Sequence, residues 1–168
     1  MSFLRAQRGN GLIYGALGTL LLLLVVGGVY DVYTGYHLRT WAYQVTGEAA
    51  RYGTTQGVTL NPFTGELTVA PLMAQTAANS FLAVALDRQR AISGVHWEAR
   101  VITAATGGSV PGFPPVPRAN LDGGDMRLTG PGVGVYLTFS YPTAWLGVIA
   151  RSQMNVHAFS AAQVTELR

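Results

Sequence analysis

The chain has 168 residues, 49% of them hydrophobic and only 11% charged, a composition that can bury a core but leaves its surface unusually bare. Its net charge is +3, and beyond residue 30 nine arginines face eight acids, which excludes the clustered positive charge a nucleic-acid surface needs. With no cysteine, it excludes disulfides, thiolate chemistry and cysteine metal sites. All eleven basic residues are arginine, so the low charge reflects either a surface that meets partners and membrane or a compositional bias of the genome.

Residues 1–10 read as a short basic tail carrying Arg5 and Arg8. Gly11 to Tyr30 follows without a charge and is built around Leu20 to Leu24 and Val25-Val26. About 20 apolar residues suffice for a helix to cross the ~30 Å hydrocarbon core, and a lone backbone in lipid can satisfy its hydrogen bonds only as a helix. A cleavable signal peptide has a shorter apolar region of ~7–15 residues, and a core helix is rarely so uniformly apolar. The stretch therefore predicts a retained membrane span. Arg5 and Arg8 before it, with Asp31 immediately after it, predict an N-terminus inside and the rest of the chain outside the cytoplasmic membrane.

The helical pattern continues through 31–53. Leu38, Trp41, Val45, Ala49 and Tyr52 recur every three or four residues and form one apolar stripe, with Gln44, Glu48 and Arg51 between them. Tyr30, Tyr33, Tyr36 and Trp41 read as an interfacial aromatic belt at the exit point. Gly53 to Gly57 reads as the helix stop. Within the span Gly15, Gly18, Gly27 and Gly28 are small enough for close helix packing.

Residues 54–168 predict a small extracytoplasmic α+β head. Val58–Leu60 and Glu66–Val69 flank Asn61-Pro62-Phe63-Thr64-Gly65, readable as a hairpin or a loop. Pro71 opens a second helix running to about Arg90, with Met73, Ala77, Phe81 and Val84 on one stripe. Alternation predicts a strand at Gly94–Thr103 with Val95, Trp97, Ala99 and Val101 inward, and another at Val133–Ser140 with Val135, Leu137 and Phe139 inward. Between them, 107–127 is rich in glycine and proline and reads as one long loop. Ala144–Ile149 is too short to span and reads as packing on the core or touching the membrane surface. A last strand, Met154 to about Ser160, closes a short antiparallel sheet.

Candidate chemistry is sparse. His37, His96 and His157 do not form a local ligand motif, even with Glu98 added. Asp122 and Asp125 sit in a glycine-rich loop without EF-hand spacing. Gly130-Pro131-Gly132-Val133-Gly134 precedes a strand instead of a helix, so it reads as a tight turn and not a phosphate cradle. No catalytic residue, cofactor site or metal site is predicted.

These residues resemble the TadE-like family, pilin-like proteins of tight-adherence pilus assembly. The resemblance rests on Arg8-Gly9 before a leucine-rich span, on Asp31, Tyr33 and Tyr36 after it, on Glu48-Ala49-Ala50-Arg51-Tyr52-Gly53, and loosely on Val133–Pro142 and Val156-His157-Ala158. It implies processing at Gly9, yet Tyr14 stands where processed members carry Glu, and Asn10 to Tyr14 contains no acid. It implies a non-catalytic structural protein acting through helix packing and head contacts, its partners being lipid and other membrane or pilus-assembly proteins reached through the helix and 107–127. The alternative is an accessory single-span subunit of a larger respiratory or photosynthetic membrane complex. An enzyme has no supporting constellation.

Overall fold

A computed structural model describes residues 3–116, 124–149 and 152–164. The fold is α+β: a long N-terminal apolar helix, a second helix and short antiparallel sheets. Helix α1, Phe3–Gly57, is 55 residues without interruption. At 1.5 Å per residue it is about 80 Å long. The residues read as a preceding tail are helical from Phe3 onward. At the other end the helix passes Gly53 for a local reason. Thr54 and Thr55 each donate a hydroxyl bond back to the carbonyl four residues earlier, on Ala50 and Arg51. Gly53 is spent on packing against the second helix instead of on a left-handed cap.

Strands β1, Val58–Leu60, and β2, Leu67–Val69, pair antiparallel, so the hairpin reading holds. Asn61 organises the turn, accepting the Phe63 N–H on its side chain at 3.0 Å and the Gly65 N–H on its carbonyl at 2.8 Å. Gly65, at φ +71°, supplies the left-handed step. Helix α2, Pro71–Asp87, starts on proline as expected and ends before Arg90. Its buried residues are Ala74, Ala78, Leu82 and Leu86, whereas Met73 and Val84 are exposed, so the predicted stripe is displaced by about one residue. The cause is close approach. Ala74 and Ala78 face Gly53 and Gly57 of α1, where larger side chains would not fit, and the bulkier residues are turned outward.

The main sheet has the order β3-β6-β7, with β3 Ser93–Ile102, β6 Gly132–Pro142 and β7 Gln153–Gln163, all antiparallel. β3 keeps its predicted length and starts one residue earlier, whereas β6 and β7 run longer than predicted because they pair with each other from Gly132–Gln163 to Pro142–Gln153. Val133, Val135, Leu137, Phe139 and Tyr141 of β6, with Ala99, Val156 and Ala158 from its neighbours, pack against Ala42, Val45, Ala49 and Ala50 of α1 and the alanine face of α2. The inward sets predicted for both strands are therefore correct. Tyr52 departs from its stripe and stays 44% exposed, its ring 5.9 Å from Phe81.

The opposite face of β6 is covered too. Residues 107–127 are not one loop: β4, Gly108–Val110, pairs with β5, Met126–Leu128, and this ribbon folds Phe113 and Met126 onto Ile102 and Tyr136 as a second core. Gly134 makes that possible, because a Cβ there would lie 2.1 Å from the Met126 sulfur. Thus Gly132 and Gly134 belong to a strand, and the tight turn read at 130–134 is corrected: the chain bends at 129–131 and β6 begins at Gly132. β6 descends towards the N-terminal half of α1, a four-residue helix α3, Leu146–Ile149, lies in the connection, and β7 climbs back.

Candidate functional site

The feature the sequence left unassigned is the seam by which the head grips α1. Asp31, immediately after the apolar stretch, is only 3% exposed. Its Oδ2 accepts the backbone N–H groups of Leu146 at 2.7 Å and Trp145 at 2.8 Å, and its Oδ1 accepts that of Ala144 at 3.2 Å. The Leu146 bond, opposed by burial and reinforced by Trp145 and Ala144, holds the carboxyl below its usual range. The carboxylate thereby fastens the bottom of the head to the helix at one point.

Above and below that point the helix offers seats without side chains. The Trp145 ring lies over Gly27, where a Cβ would come within 2.1 Å of the indole, and Leu146 lies 3.8 Å from the same position at Gly28. Tyr141 fills the notch at Gly35 and donates its hydroxyl to the Met154 sulfur at 3.1 Å. Burial, with the nearby Asp31 charge, pushes the Tyr141 phenol up. Higher still, Thr46 and Ser160 hydroxyls meet at 3.0 Å, and Ser160 donates to the Tyr43 carbonyl at 3.3 Å. The Thr54 hydroxyl lies 3.2 Å from the Ala162 carbonyl of β7. Gly27, Asp31, Gly35, Ala42, Thr46, Ala49, Gly53 and Gly57 thus share one face, repeating every three to seven residues, and the head lies along it.

The N-terminal half is different. From Gly11 to Leu23 every residue is exposed, and nothing lies near a Cβ added at Gly15 or Gly18. Among the described residues this is the one helix long and apolar enough to cross a membrane, and only 6% of its apolar window is buried, so that window is not part of this chain's own core. Of the four glycines read as helix-packing positions, Gly27 and Gly28 are used within the chain and Gly15 and Gly18 remain open. Gly9 lies within α1. Tyr30, Tyr33 and Tyr36 are exposed at and just beyond the end of the uncharged stretch, Tyr33 meeting His37 at 4.2 Å. Trp41 is instead half-buried and meets Phe139 edge-on at 6.0 Å, which places it in the head core. Ala50 is buried, and Arg51 is exposed beside Glu48 along a shallow groove that also touches Ser160.

The histidines are not assembled into a centre. His96 and His157 fall on either side of Thr138 in one row across the sheet, two strand spacings or about 9.6 Å apart at the backbone. His157 Nδ1 instead lies 2.9 Å from the Tyr136 hydroxyl. His37 is on α1. Asp125 accepts the Gly112 N–H at 2.8 Å and so ties the ribbon's loop, while Asp122 lies outside the described residues. Glu98 pairs with Arg100 on the same strand. Among the described residues no three metal-ligating side chains converge. What the arrangement does chemically is mechanical: it locks a folded head onto one half of a long helix and leaves the other half bare. No family model matches the chain, and comparison with curated proteins and with solved structures yields no match.

Proposed function

We propose that this chain is a non-catalytic, single-span, pilin-like structural protein of a tight-adherence-type pilus or secretion apparatus. The observation that carries this reading is the division of α1. One continuous helix is sealed into a head from Gly27 onward and is bare and apolar from Gly11 to Leu23. In this reading the bare half resides in the bacterial cytoplasmic membrane with Arg5 and Arg8 inside, and the head lies outside. Function is lateral packing of the bare half, where Gly15 and Gly18 admit a neighbouring helix closely, together with head contacts. The uninterrupted helix joins the two halves and the fastening at Asp31 ties the head to it, so a displacement of the anchored half is transmitted to the head. Tyr14, exposed where an acid is expected in processed pilins, favours a second reading: a resident accessory subunit of a larger membrane complex.

The test compares the chain's abundance in sheared surface filaments with its abundance in detergent-solubilised membrane complexes. Recovery with filaments, or with assembly ATPase and platform proteins, supports the pilin-like reading. Stoichiometric recovery with a cofactor-bearing complex supports the accessory reading and overturns the first.

A further inference from the structure

We propose that the connection between β6 and β7 is a second membrane contact, with residues 144–148 lying in the interfacial layer of the bilayer that α1 crosses. The occupant of the adjoining groove is then a phospholipid acyl chain. This inference rests on α1 being the membrane span. Three observations carry it. The first is level: Trp145 and Leu146 are seated on Gly27 and Gly28, inside the last turn of the uncharged stretch and below Asp31. The head therefore reaches down to the depth at which the span leaves the hydrocarbon.

The second is chemistry. From Pro142 to Ala150 there is no charged residue, Val148 is 72% exposed, and Trp145 keeps 37% of its surface open. Tryptophan favours the boundary between headgroups and acyl chains. Between α1 and Leu146 an open groove of about 520 Å³ is walled by Leu21, Leu24, Val25, Gly28 and Val32, all apolar and continuous with the bare face of the span.

The third is backbone bookkeeping. An irregular connection can enter a water-poor layer only if its polar groups have protein partners. Here they do. Asp31 takes the N–H groups of Ala144, Trp145 and Leu146, the Ser152 carbonyl takes that of Thr143 at 3.0 Å, and the Trp145 carbonyl takes that of Val148 at 3.1 Å. Asp31, itself buried, presents no bare charge to lipid.

The absence of cysteine allows single nitroxide labels on the full chain in phosphatidylcholine–phosphatidylglycerol vesicles, at Val148→Cys, Val29→Cys and, as a water-facing control, Thr76→Cys. Collision with oxygen reports lipid, and collision with a soluble nickel chelate reports water. The expected result is an oxygen-to-nickel ratio at positions 148 and 29 several-fold above that at 76. A lipid signal at 29 with a water signal at 148 overturns the second contact and leaves the span standing. A water signal at 29 overturns the span and the contact with it. A label at 148 shielded from both quenchers means that protein, such as a second copy, covers the loop, and overturns the lipid assignment.

Discussion

The Asp31 carboxylate accepts the Trp145 backbone N–H at 2.8 Å, joining residues 114 positions apart, while the Trp145 ring rests on Gly27 one turn earlier. A charge and a missing side chain on successive turns of one helix thus hold the same residue. Neither contact works alone: without the notch at Gly27 the indole would be displaced, and the N–H would move away from its acceptor.

That relationship predicts an acid-sensitive fastening. The folded-state pKa of Asp31 is depressed, so the unfolded or undocked chain takes up the proton first as pH falls. The stabilisation is fully present above the ordinary carboxylate value of 3.8 and is lost as pH falls below it towards the folded pKa. Amide exchange at Trp145 and Leu146 should accelerate over that acid range in the native chain. In Asp31→Ala exchange should be fast at every pH; an unchanged protection pattern in that variant would show that the carboxylate does not hold the loop.

Small residues in α1 should differ sharply in tolerance. A Cβ at Gly57 would lie 2.6 Å from Ala74 Cβ and 2.9 Å from Val69 Cγ1, whereas one at Gly15 meets nothing. Gly57→Ala should cost about 1–3 kcal/mol, the usual range for overpacking, more than the at most ~1 kcal/mol that alanine gains in helix propensity. Gly15→Ala should leave the thermal midpoint in detergent unchanged or slightly raised. Equal effects would remove the distinction between the sealed and bare halves.

Phe139 is 1% exposed and carries the edge contact to Trp41. Phe139→Ala should destabilise the head by about 3–5 kcal/mol, read by denaturant unfolding. Trp41 emission should shift to the red as its ring loses that cover, while membrane association of α1 is kept.

Leu22 and Leu23 are exposed near the middle of the uncharged stretch Gly11–Tyr30. Replacing both with Arg should abolish membrane retention, since each charge near the bilayer centre costs at least ~2.5 kcal/mol on insertion scales. Unchanged fractionation would sink the span. Protease added to intact spheroplasts should remove the chain beyond Tyr52, and protection there would reverse the orientation.

While it left 58–69 open between a hairpin and a loop, the sequence by itself determined the long apolar helix, the second helix and the inward faces of β3 and β6. These follow from uninterrupted hydropathy or from a local period, which a single segment carries in full. Tertiary structure alone decided where close approach occurs. Periodicity ranks residues by apolar bulk, so it placed Met73 and Val84 of α2 inside; the packed helix surface is instead built from Ala74 and Ala78, because Gly53 and Gly57 bring α1 too near for anything larger. The ribbon of β4 and β5 was hidden for a related reason: three-residue strands have no period to read, and Phe113 and Met126 are buried at the gap left by Gly134 on another strand. Asp31 shows the same limit at the site. Its position after the span was plain, but its acceptors were claimed by backbone donors of residues 144–146, and a backbone donor leaves no mark in the sequence. Only the fold, by returning β6 to the foot of the helix, brought that charge its partners.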